Sequence, residues 1–121
     1  MGIDLDNAIK AHADWRSKLR PAATRHEQLY AETISRDNCC EMSKWLHGAG
    51  VSQFGGGPTF VELIDAHQAF HLEAGNVART VNQGDGAQTE QMLGSGTGFS
   101  QAFNEFSRFI IQLKGEFRRA A

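Results

Sequence analysis

Only two cysteines occur in the 121 residues, and they are neighbours, Cys39 and Cys40. A disulfide between adjacent residues is strained and rare, so a disulfide framework is excluded and a reducing cytoplasm is expected. Proline occurs twice, at Pro21 and Pro58, and no Pro-rich or other low-complexity segment separates one part of the chain from another. No apolar run approaches the ~20 residues of a membrane span. The opening MGIDLDNAIK carries Asp4 and Asp6 and has no apolar signal core, which argues against secretion. Asp6 also stands where a myristoylation signal wants Ser or Thr. Basic residues form no dense block before the short FRR at 117–119, and the net charge is −2, so no nucleic-acid surface is expected. β-branched residues never alternate over more than a few positions, so strand signals are weak.

Helical periodicity fills the space these absences leave. The length suits one domain, 1–121, with a core that needs no staples. A first helix reads over 4–19, with Ala8, Ile9, His12, Trp15 and Leu19 in its stripe. Pro21 marks a break or a restart, and a more polar helical stretch follows over 22–34. A short helix reads over 38–47, with Asp37 as N-cap and Gly48 or Gly50 as its stop. VSQFGGGPT, at 51–59, is the clearest loop, with 55–58 expected to be exposed. Thr59 and Glu62 make a capping box for a helix that runs to about Gln83. The last helical stretch covers 88–117, weakened or kinked at GSGTG. The expected architecture is all-α, a helical bundle of the four-helix type with one short helix.

The chemistry lies in LIDAHQAFHLEAG, 63–75. His67 and His71 are four apart and therefore share a helix face with or beside Leu63, Phe70 and Ala74. That is metal-ligand spacing, although one exposed and one hydrogen-bonded histidine would produce the same pattern. HQAFH has glutamine where a zinc protease needs its glutamate, so a protease is a poor reading. His12 falls in the apolar stripe of the first helix, where a lone histidine is more often a satisfied core residue than a ligand. Cys40 stands five residues before Trp45 on the short helix, where a lone buried cysteine is usually a small apolar group. Each bland reading wins separately. Together, three core-facing helices carry His12, Cys40, His67 and His71, a closed tetrahedral zinc shell with no position left for water. His47, seven residues after Cys40, competes for the fourth place, and otherwise is a cation near a helix C-terminus. His26 lies in the polar connector. Cys39 points about 100° from Cys40 on a helix, so the two do not readily share an ion.

AHADW (11–15), CCEMSKWLHGAG (39–50) and FVELIDAHQAFH (60–71) resemble the chemoreceptor zinc-binding, or CZB, domain family, and QMLGSGTGFSQAF with IIQLK resembles its last helix. The resemblance therefore spans nearly the whole chain. It implies a helical bundle with zinc on His12, Cys40, His67 and His71, and it selects Cys40 over Cys39. Ser43 departs from the glycine the family prefers there, but serine is small enough for close packing. The resemblance further implies a bacterial cytoplasmic sensory module that responds to zinc or to oxidants such as hypochlorous acid. Such modules occur attached to a chemoreceptor or a diguanylate cyclase, or alone, and several members dimerise.

The function expected is thus a zinc-binding regulatory domain and not an enzyme. GSGTG has neither the strand nor the lysine of a phosphate site. One alternative is a hemerythrin- or ferritin-like bundle, which needs more paired His/Glu ligands. The other is a metal-free helical interaction module. Abundant phenylalanine in the last helix, with family habit, suggests a homodimer. The output partner is either fused or separate.

Overall fold

The computed structural model describes residues 5–35, 41–54 and 57–120. Seven helical segments and no strand occur among them: α1 (Leu5–Thr24), α2 (Ala31–Ser35), α3 (Glu41–Leu46), α4 (Ala49–Phe54), α5 (Pro58–Asn82), α6 (Gly86–Met92) and α7 (Gly98–Ala120). The all-α bundle expected from periodicity is the observed architecture. No helix among the described residues is long and apolar enough to cross a membrane.

The three long helices set the frame. Thr59, at the start of α5, bonds Glu116 near the end of α7, and Glu73, late in α5, lies against Gly98 at the start of α7. The two helices are therefore antiparallel. They form the most extensive pair in the molecule. Asp6 pairs with Lys114, and the Arg16 guanidinium lies over the Phe99 ring, so α1 also runs antiparallel to α7. Among the described residues the core divides into two apolar clusters. One gathers Ala8, Met42, Leu63, Phe106 and Leu113; the other gathers Leu19, Phe70, Ala74, Val77 and Phe99. Burying these side chains is the main favourable term in folding.

Several local expectations are corrected. Pro21 does not end the first helix, which continues to Thr24. Leu19 and Ala22 are both buried, and that burial carries the helix past the lost proline N–H. The chain turns at His26, which adopts φ 56°. The helix expected over 22–34 shrinks to the last turn of α1 and the five residues of α2. Between them the Asn82 side chain accepts from Leu29 N at 2.6 Å and donates to Leu29 O at 2.9 Å, replacing helical partners.

Asp37 and 38–40 lie outside the described residues, as do Gly55 and Gly56; α3 is described from Glu41. Residues 51–54 of the loop expected over 51–59 belong instead to α4, and 58–59 to α5. Gly50 does not stop a helix there. A Cβ on it would fall 2.8 Å from Trp45 O and 3.0 Å from the Phe60 ring, so glycine allows the backbone to pack closely. Of the loop expected to be exposed at 55–58, Gly57 is half-buried and Pro58 is exposed.

Gly57, not Thr59, caps α5, with Pro58 in its first turn. Thr59 is buried, donates to Glu116 Oε2 at 2.5 Å and accepts from Gln112 Nε2 at 3.0 Å. The capping box fails because α7 claims its hydroxyl. The expected last helix is two helices. Asp85 caps α6 by accepting from Gln88 N at 2.9 Å, and Thr97 Oγ1 accepts from Ser100 N at 3.3 Å to open α7. Gly96, at φ 79°, makes the turn between them.

Candidate metal centre

His12 comes from α1, and His67 and His71 come from successive turns of α5. All three are buried, at 4%, 0% and 3% exposure. They sit where the two apolar clusters meet: Ala8 and Leu19 flank His12, while Leu63 and Ala74 flank the α5 pair. The Phe106 ring lies 4.6 Å from the His12 ring and 5.6 Å from that of His67, centroid to centroid. Phe70 packs edge-on to His12 at 5.4 Å. The imidazoles therefore share a pocket walled by aromatic rings.

Ring orientation follows from the backbone. His12 Nδ1 lies 2.8 Å from Ala8 O, and His71 Nδ1 lies 3.0 Å from Ile34 O. A carbonyl only accepts, so each Nδ1 is the protonated donor. In the neutral rings Nε2 then keeps its lone pair. Partners of this kind orient histidine ligands in metal sites. Across the pocket, His71 Nε2 faces His67 Nε2 at 3.1 Å. Two lone pairs do not face each other at that distance. Either His67 Nε2 carries a proton and donates to His71, or a cation stands in place of that proton.

One ligating nitrogen from each of the three residues lies within 4.8 Å of the other two. Zn–N bonds of about 2.0–2.1 Å in a tetrahedron put donor atoms about 3.3 Å apart. The His67–His71 separation is already near that value, and closing the others from at most 4.8 Å needs side-chain shifts of no more than about 1.5 Å. The three residues could hold a metal ion, and nitrogen donors suit zinc among other transition metals.

Three of the expected ligands are thus brought together. Cys40, the fourth, lies outside the described residues, as does Cys39. His47 and His26 are both exposed. The Ala8 and Ile34 carbonyls and the Phe106 wall were not anticipated. Ala8 was within reach, since a buried helical histidine has the carbonyl four residues back beside it. Nothing in the sequence pointed to Ile34, 37 residues from His71. Set against family models, curated proteins and solved structures, the chain matches none.

Proposed function

We propose that this chain is a zinc-binding regulatory domain of the CZB kind, with His12, His67, His71 and Cys40 around one zinc ion. The observation that carries the reading is the convergence of three buried imidazoles, two of them held through Nδ1 by backbone carbonyls, which makes Nε2 the ligating nitrogen. Two further arguments support Cys40. Three neutral imidazoles leave the full charge of a divalent ion in an apolar pocket, which is costly; a thiolate halves it. Chain connectivity favours it too. Ile34, six residues before Cys40, reaches His71, and Met42, two residues after, belongs to the same cluster as Ala8 and Phe106.

A shell of four protein ligands has no open position, so the proposal is a regulator rather than an enzyme. Zinc would tie α1, α5 and the segment before α3 together. Hypochlorous acid would oxidise the Cys40 thiolate: the sulfur takes up OH as a sulfenic acid, and chloride leaves. A sulfenic acid is the weaker ligand, so zinc departs and the tie is released. The output is proposed to be a chemoreceptor or a diguanylate cyclase, fused or separate, in a cytoplasmic setting.

Self-association belongs to the proposal on thinner support. Phe99, Phe106 and Phe109 are buried within the chain and Phe103 is half-buried, while Ile111 is 63% exposed on the outside of α7. Sedimentation at micromolar concentration tests it, and monomer alone would count against it.

The hemerythrin- or ferritin-like alternative needs carboxylates among the ligands of a two-iron site. Among the described residues the metal-capable cluster holds three histidines and no carboxylate. Elemental analysis of protein purified without added metal separates the readings: one zinc per chain, two irons, or none. Hypochlorous acid added to the zinc-loaded protein, with zinc release and sulfenic-acid trapping followed in Cys39→Ser and Cys40→Ser, tests the switch. Release that persists in Cys40→Ser would overturn it.

A further inference from the structure

Residues 28–35, after α1, lie along α5 as a strap with three attachments. At one end the Asn82 side chain pairs with both backbone groups of Leu29, and Gln28 Nε2 donates to Asn82 O at 3.3 Å. Ala31 is buried in the cluster with Ala74 and Val77. At the other end Ile34 O accepts from His71 Nδ1. The strap thus runs antiparallel to α5, from Asn82 back to His71. Its close approach depends on one residue. A Cβ on Gly75 would fall 2.4 Å from Ser35 Cβ and 2.9 Å from Ser35 Cα. Gly75 is one turn after His71 and Ser35 is the residue after Ile34, so the tight contact and the histidine bond are adjacent.

We propose that Gly75 and the strap of residues 28–35 position the metal centre: Gly75 lets the strap lie close enough for Ile34 O to hold the His71 ring with Nε2 toward His12 and His67. The inference rests on the metal-site reading for its effect on affinity. The effect on the His71 tautomer does not need a metal. Any methyl group at position 75 pushes Ser35 outward, because the clash is with backbone as well as side chain. Ile34 O then withdraws from Nδ1, and the ring is free to take either tautomer and to rotate. Outer-shell partners of this kind change metal affinity by about 10- to 100-fold. Gly75 is not itself a ligand, and acts through the strap.

The test uses the full chain as wild type, Gly75→Ala, Asn82→Ala and Leu113→Ala. Leu113 lies in the other apolar cluster, so its truncation weakens the fold without touching the strap. Zinc affinity is measured by competition with a chromogenic chelator, and the His71 tautomer by nitrogen–proton correlation spectra of metal-free protein. Gly75→Ala is expected to bind zinc about 10- to 100-fold more weakly and to show mixed His71 tautomers. Leu113→Ala is expected to stay within about threefold of wild type, with His71 protonated on Nδ1. Wild-type affinity and tautomer in Gly75→Ala would overturn the proposal. So would an equal loss in Leu113→Ala, which would trace the effect to general stability. Should Gly75→Ala not fold, Asn82→Ala decides: release of the far end is expected to weaken zinc binding in the same direction, and unchanged affinity and tautomer refute the strap. If wild type binds no zinc, the metal-site reading fails, and the tautomer comparison alone decides the positioning role.

Discussion

His67 Nε2 and His71 Nε2 face each other at 3.1 Å across one turn of α5, in the middle of the hydrophobic core. Among the described residues the two apolar clusters meet here through imidazoles. A single proton, or a single cation, satisfies both nitrogens. The predictions below start from that contact.

Replacing His12, His67 or His71 with alanine removes a donor and leaves a cavity. Each single variant is expected to lose more zinc affinity than an outer-shell change, beyond about 100-fold. Chelator competition measures it. If His12→Ala binds zinc like wild type, α1 supplies no ligand, and the site is confined to α5 and the segment carrying Cys40.

Metal binding needs unprotonated imidazoles, so protons and zinc compete. The proposed shell also needs a Cys40 thiolate, so zinc affinity is expected to fall as pH drops and these ligands take up protons. At low pH the logarithm of the affinity should fall by up to about four per pH unit, one for each of the three rings and the thiol that holds a proton in the metal-free protein. Titration calorimetry at several pH values reads the slope. Zinc affinity that stays unchanged as pH falls far enough to protonate every imidazole would show that imidazoles are not the ligands.

Removing zinc with a chelator is expected to lower stability without melting the bundle. Both apolar clusters are formed by protein side chains alone. At free zinc 1,000 times the dissociation constant, bound metal adds about 4 kcal/mol. Thermal unfolding with and without chelator, followed by far-ultraviolet circular dichroism, checks this. Loss of helicity at room temperature on chelation would mean that the metal organises the fold itself.

Phe106 packs on two of the three histidine rings and is fully buried. Phe106→Ala is expected to cost about 3–5 kcal/mol in urea unfolding. Phe106→Leu should cost much less while still covering the imidazoles. A cost under about 1 kcal/mol for the alanine variant would contradict the observed packing.

Thr59 joins α5 to α7 through Glu116 and Gln112. Thr59→Ala is expected to cost about 1–3 kcal/mol, because it strands polar groups in a part-buried site. Thr59→Ser keeps the hydroxyl and should recover most of that. If Gln112→Ala and Glu116→Gln each leave the effect of Thr59→Ala unchanged in double-mutant cycles, the hydroxyl is not shared with α7.

Much of this molecule is legible in its residues. The stripes that hold Ala8, His12 and Leu19 on α1, and Leu63, His67, Phe70, His71 and Ala74 on α5, have a period of about 3.6, and every one of those side chains is buried. That His67 and His71 share a face follows from that spacing alone, because residues four apart stack on any helix; that both are buried was decided by the packing around them. GSGTG marked a weak point in the last helical stretch, but the full break into α6 and α7 went beyond the kink expected there.

Other features were decided by partners distant in sequence. Nothing at 28–35 indicates that Leu29 binds Asn82 rather than its own helical neighbours, or that Ile34 O turns to His71. Thr59 and Glu62 spell a capping box, yet the hydroxyl is used by Glu116 and Gln112, 57 and 53 residues away. Pro21 reads as a helix end, and burial of Ala22 against the core overrides it. Local periodicity determines which face of a helix is apolar, because it depends only on the geometry of a single turn. Which polar groups on that face meet, and which carbonyl orients which imidazole, depends on how whole helices pack. That choice belongs to the tertiary structure, because each such bond joins groups that only the folded chain brings within 3 Å or so.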